Sequence, residues 1–181
     1  MSKRQGKLSV FLQRQRINAA KPWVRGPRVL DVGSNEGNFR RFLPANTHYV
    51  GIDPKPAVHP DFTFYQASGL DDLSDLGLFD SVCLLAVIEH VHEYDRLIQN
   101  LSKSLVPGGR LVLTTPTPAG DKVHRFFSGL DVASTDAKDD HFHIFTLSEL
   151  SALLLKNGFE IEHKSLFFLG LNQVIVGKKK N

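Results

Sequence analysis

Seven short runs rich in β-branched and aromatic residues alternate along the chain with stretches of helical periodicity, and this alternation limits the fold more than any other feature. The runs are Arg28–Val32, His48–Ile52, Thr63–Tyr65, Ser81–Leu85, Arg110–Thr114, Glu160–Leu166 and Gln173–Val176. Strands separated by helices pair in parallel through crossovers, and a strand covered on both faces becomes continuously apolar, as four of these are. The expected class is α/β with a buried sheet. At 181 residues, 41% hydrophobic and 23% charged, the chain suits a single domain over 1–181.

Two helices are marked locally. Tyr94, Leu97, Ile98, Leu101 and Leu105 recur at spacings of three and four, which places them on one helical face, and Pro107-Gly108-Gly109 is expected to end that helix and turn the chain. Thr146 with Glu149 three positions on is a capping box, Leu147, Leu150 and Leu154 form the stripe behind it, and Gly158 suits a left-handed C-terminal cap. A further helix is expected over 8–20, with Leu8, Phe11 and Leu12 on one side. The segment 116–145 has no strong periodicity and is expected to form a substrate-side loop or lid.

The remaining global features narrow the function classes. The net charge of +3 owes much to the terminal lysines and arginines, and no central segment interleaves basic with aromatic residues, so nucleic acid is not the expected partner. Cys83 is the one cysteine, which excludes an internal disulfide and a thiolate zinc cluster. No apolar run approaches the roughly 20 residues of a membrane span, and the start MSKRQGK lacks a secretory core, so a cytoplasmic location is expected.

The first strand runs into VLDVGSNEGNF over 29–39. In open α/β sheets ligands bind beyond the carboxyl ends of the strands, and the turn after the first strand is a favoured place. Gly33 accepts angles closed to other residues, and Gly37 removes a side chain where a helix is expected to start. Either a ligand approaches this backbone or the glycines serve packing. A dinucleotide fingerprint would place a second glycine where Asn35 stands, which argues against hydride transfer to a nicotinamide. Asp53, 16 residues after Gly37 in YVGIDP, is placed to accept two hydrogen bonds from ribose hydroxyls, or to open a turn with Pro54.

VLDVGSNEGNF, YVGIDP, LFDSVCLLAVIEHV and LVPGGRLVLTTP, in this order and spacing and followed by FTLSELSALLLKNGFEI, resemble the class I S-adenosylmethionine-dependent methyltransferases. Within that family the similarity points to small-molecule enzymes like the ubiquinone-biosynthesis O-methyltransferases. The resemblance implies a Rossmann-like three-layer sandwich whose seven-stranded sheet is mostly parallel, with Gln173–Val176 antiparallel beside the fifth strand. It implies that Asp31, Gly33, Ser34, Asn35 and Gly37 surround the methionine part of S-adenosylmethionine, with Asp53 and Pro54 at the ribose. Relatives often carry an acidic residue after the third strand for the adenine; here Ser68 stands at that point, with Leu70, Asp71 and Asp72 as alternative alignments. Leu85 lies where relatives contact cofactor and substrate.

For an activated methyl group, catalysis reduces to placing an acceptor and removing its proton where it has one. His90, after the fourth strand, is the candidate base, with His141 and His143 of HFHIFT expected to overhang the same edge. Each also has an ordinary reading as a helix-start or loop residue. Relatives with E-x-x-E-H and a later histidine bind a divalent metal, but Ala86 stands at the first ligand position, and no metal is expected. The expected function is methyl transfer to a small-molecule oxygen, nitrogen or carbon. Alternatives are a nucleic-acid or protein methyltransferase and a non-catalytic, cofactor-binding relative.

Overall fold

A computed structural model describes residues 7–55, 62–123 and 141–181. The elements are α1 (Lys7–Ala20), β1 (Arg28–Val32), β2 (His48–Asp53), β3 (Thr63–Gln66), β4 (Phe79–Leu85), α2 (Tyr94–Lys103), β5 (Leu105–Pro116), α3 (Leu147–Lys156), β6 (Phe159–Phe167) and β7 (Asn172–Lys179). All seven expected strands are present.

The strands form one sheet in the order β3-β2-β1-β4-β5-β7-β6. Pairs from β3 to β5 are parallel, whereas β7 runs antiparallel to both β5 and β6. The order reverses at β1, between β2 and β4, so the carboxyl ends of β1, β2 and β4 open a crevice at one edge. The neighbours Val32, Ile52 and Leu84 hold that edge in register.

Alternation within the apolar runs sorts them onto two covered faces. Leu30, Ile52, Leu84, Leu113 and Ile175 pack with Leu97, Ile98 and Leu101 of α2 and Leu150 and Leu154 of α3. Val29, Tyr49, Cys83, Val112 and Val176 pack on the other face, with Ile17 and Ala20 of α1. The buried residues described in α1 therefore lie at its C-terminal end, and Phe11 is exposed and meets Phe168 edge-on at 5.5 Å.

Two local expectations are corrected. α2 ends at Lys103, so Leu105 and Pro107-Gly108-Gly109 belong to β5; the Phe79 amide donates to the Ser104 carbonyl at 2.8 Å, and the ladder shifts register between Phe79 and Ser81. Gly109 permits this irregularity, because a Cβ there would lie 2.9 Å from the Val106 oxygen. After Gly37 the chain makes only a 3-10 segment over Asn38–Phe42, since the Arg40 guanidinium bonds the carbonyls of Pro44 and Ala45 and proline disfavours helix before it. The segment expected at 116–145 begins in β5 and turns helical over 118–123, and its middle lies outside the described residues.

The capping box of α3 is present in both halves: the Glu149 amide donates to Thr146 Oγ1, and the Thr146 amide donates to Glu149 Oε2 at 2.7 Å. The Thr146 hydroxyl also donates to Oε2, at 2.8 Å, and the two Thr146 donors hold the Glu149 carboxyl below its ordinary range. Thr146→Ala is expected to lower stability by about 1 kcal/mol in a urea titration. Gly158 follows in the left-handed region, φ 83°.

Candidate active site

The crevice is built first by the turn after β1. The amides of Gly33 and Ser34 both donate to the Ile52 carbonyl, at 2.8 and 3.0 Å, which clamps the turn to β2. Gly33, Asn35 and Gly37 are all left-handed, with φ of 74°, 47° and 65°. Their vacated space is already used: a Cβ on Gly33 would lie 2.5 Å from Val87, and one on Gly37 2.0 Å from the Phe62 ring. A side chain at either position would collide with these neighbours. Ala86, left-handed at φ 61° with its amide on the Thr114 carbonyl, is the strained residue that turns β4 toward this contact.

Asp53 stands at the tip of β2. Its Oδ2 accepts from the Asn35 amide at 3.0 Å and its Oδ1 from the Lys55 amide at 2.9 Å. A carboxylate has about four lone-pair sites, so each oxygen retains acceptor capacity for a ligand hydroxyl. Pro54 is exposed beside it and accepts from Gln66 at its carbonyl. The Ala67 amide donates to the Asp53 carbonyl, bringing the end of β3 to the same edge. There the Ser68 amide donates to Asp71 and the Leu70 amide to Ser68 Oγ, so Asp71 ties the turn, while Leu70 is half-buried against the core.

Asp31 points into the face covered by α1, where it is 4% exposed and accepts a hydrogen bond from the Tyr49 hydroxyl. Burial pushes its carboxyl up to about 7 against the Tyr49 bond, and burial beside Asp31 likewise raises the Tyr49 hydroxyl and the Cys83 thiol. A carboxyl whose pKa is raised on folding binds its proton more tightly in the native state. Stability from this group is therefore full below about pH 4 and is lost as pH rises toward 7. Asp31→Asn is accordingly expected to raise stability relative to the wild type by a few kcal/mol at pH 8 and by much less at pH 4, read from urea melts at both. Two hydroxyls, Ser34 Oγ and Thr114 Oγ1, are buried without a hydrogen-bond partner among the described residues.

A second group of polar side chains gathers where β4 and β5 end. Glu89 is 1% exposed and accepts from the Thr115 hydroxyl at 3.0 Å. Burial holds its carboxyl above the ordinary range, opposed by Arg16 and His90. His141 Nδ1 lies 2.5 Å from Asp121 Oδ1, and its ring is 4.9 Å from that of His90. Glu89, His90 and His141 each offer a donor atom, all within 4.8 Å of one another, a carboxylate and imidazole set suited to a divalent cation.

His143 is not part of this group. Its Nε2 lies 3.9 Å from Glu149, and its ring packs between Tyr94 and Phe145 at the start of α3. Asp121, Thr115 and Arg16 join the site without any sequence signal, because each meets its partner across 20 or more residues of chain.

The family described as "Methyltransferase domain" matches residues 2–164. The tRNA U34 carboxymethyltransferase of Campylobacter hominis is 30% identical over 133 residues, covering 65% of this chain and 47% of that protein. The enzyme of the same name from Syntrophotalea carbinolica is 29% identical over 154 residues, covering 76% and 46%. The chain thus spans about half the length of the curated relatives it matches. In fold it is similar to magnesium protoporphyrin IX methyltransferase from Synechocystis, solved with bound SAH, at TM-score 0.70 and 17% identity over 99% of this chain and 90% of that one. It is also similar to the 1,6-didemethyltoxoflavin-N1-methyltransferase of Burkholderia thailandensis, at TM-score 0.69 and 16% identity over 94% and 79%. With nine-tenths of its length matched and the strand order that places Asp53 beside the β1 turn, the chain belongs to the methyltransferase domain family.

Proposed function

We propose that the protein is an S-adenosylmethionine-dependent methyltransferase whose acceptor is a small molecule carrying a removable proton. The observation that carries the reading is the arrangement at the carboxyl edge: the Asp53 carboxylate on one side of β1 and the His141–Asp121 pair beyond β4 and β5.

The residues present fit the cofactor. Asp53 retains acceptor capacity toward a ribose, and the buried, unpartnered hydroxyls of Ser34 and Thr114 offer donors and acceptors beside the β1 turn and β5. Gly33, Asn35 and Gly37 shape that turn through their left-handed backbone. Bound there, S-adenosylmethionine would supply a methyl group on a cationic sulfonium that leaves as a neutral thioether.

The chain's own contribution is then orientation and proton removal. Asp121 at Nδ1 fixes the His141 tautomer and assigns proton uptake to Nε2. His90 lies ring to ring with it. Glu89, buried and bonded to Thr115, anchors the incoming loop through its carbonyl, which accepts from the Phe142 amide at 2.8 Å.

A second reading, methylation or carboxymethylation of a tRNA base, is favoured by the printed names of the curated relatives. Calorimetry with S-adenosylhomocysteine tests the cofactor. A transfer assay on a metabolite panel, beside a tRNA mobility shift over a salt series, tests the acceptor. Tight, salt-steep tRNA binding would replace the small-molecule reading. Activity that is abolished by a chelator and restored by a divalent cation would reassign Glu89, His90 and His141 to a metal.

A further inference from the structure

We propose that His92 and Phe142 form a stacking subsite that holds a planar ring of the acceptor beside His141, so that the acceptor is aromatic or heteroaromatic rather than saturated; this rests on the methyltransferase reading above. Two stretches, 89–94 after β4 and 141–145 before α3, run side by side, tied by the Phe142 and His143 amides on the Glu89 carbonyl. They bring seven rings together in layers.

The inner layer is core. Phe145 is buried and meets Tyr94 edge-on at 5.0 Å, and His143 fills the angle between them. The burial of Phe145 and the packing of Tyr94 and His143 against it account for these rings without a ligand.

The outer pair has no such account. His92 stacks on Phe142 with centroids 3.4 Å apart and planes 30° from parallel, yet His92 is exposed and Phe142 is 48% exposed. A rim phenylalanine left in water forgoes the burial that stabilises most aromatic side chains. A planar ligand laid on such a platform gains about 1–3 kcal/mol per ring, and a saturated ring of equal size cannot match the contact.

Position and acidity point the same way. Phe142 directly follows His141, His92 follows His90 by two residues, and the amides of Phe142 and His143 tie the two stretches at the Glu89 carbonyl, so the same paired loops carry the outer rings and the two imidazoles. A ring hydroxyl titrates near 10, far closer to an imidazole than an aliphatic alcohol does, and so matches a histidine base. Free aromatic metabolites and an exposed pyrimidine in RNA share this chemistry.

The test is titration of the full chain, loaded with S-adenosylhomocysteine, by 2-naphthol and by decahydro-2-naphthol. A parallel pair is a uridine-bearing RNA stem-loop and the same loop with that base removed. The expected result is that one planar member binds at least about tenfold tighter than its partner, the arm identifying free ring or RNA. His92→Ala and Phe142→Ala should each reduce that preference to within about twofold, and Phe142→Trp should retain it. S-adenosylhomocysteine affinity, measured first in the same cell, should be unchanged in every variant; its absence would sink the methyltransferase reading instead. Equal affinity within both pairs, no binding by any of the four, or a preference that survives Phe142→Ala overturns the stacking subsite.

Discussion

Replacing His141 with alanine is expected to cut the turnover of methyl transfer at least a hundredfold, and to leave affinity for S-adenosylhomocysteine within about twofold of the wild type. The expectation rests on geometry. Asp121 sits 2.5 Å from Nδ1, an arrangement that orients an imidazole and stabilises it once protonated. Asp121→Asn preserves the shape and removes the charge, so its loss should be smaller, about tenfold, and confined to turnover. His90→Ala removes the neighbouring imidazole, whose ring lies 4.9 Å from that of His141, and should cost less than His141→Ala. Single-turnover kinetics on the three variants, with calorimetry on the same preparations, decides the matter. A His141→Ala enzyme with unimpaired turnover would leave catalysis to positioning alone.

The fold was legible where a signal is local. Continuous apolar runs such as Val82–Leu84 can be satisfied only between two covered faces, and the capping box at Thr146 and Glu149 needs nothing beyond three residues of spacing. Legibility failed where a local signal competes with pairing: Pro107-Gly108-Gly109 has turn chemistry, but the edge formed by Phe79 draws it into β5 as an irregular strand. The glycines of the β1 turn were seen, but not that Val87 and Phe62 would occupy the space they leave. The His141–Asp121 pair was half visible. His141 stands out beside other histidines, whereas Asp121 is an ordinary aspartate until the chain from 118 to 123 brings it to the imidazole. His141 and His143 looked equivalent in sequence, and only the structure separates them: His141 meets Asp121 and lies beside His90, whereas His143 approaches Glu149 of α3.

Asp53→Ala should weaken S-adenosylhomocysteine binding at least tenfold, or about 1.4 kcal/mol, through loss of the acceptor for the ribose hydroxyls. The side chain also accepts from the Asn35 and Lys55 amides, so the variant loosens the turn as well as removing a ligand contact. These two effects are separable. Loosening the turn lowers the melting temperature of the unliganded protein, because the Asn35 amide loses its partner whether or not a ligand is present. Loss of the ribose contact appears only in the increment that saturating ligand adds to that temperature, since stabilisation by a ligand depends on its affinity for the folded state alone. Asp53→Asn keeps one oxygen for the backbone and replaces the other with a donor that opposes a hydroxyl proton less well, so it should preserve the unliganded melting temperature better than alanine does while still binding several-fold more weakly. An Asp53→Ala protein that stays folded and binds the ligand as tightly as the wild type would move the ribose away from β2, and with it the assignment of the β1 turn to the cofactor.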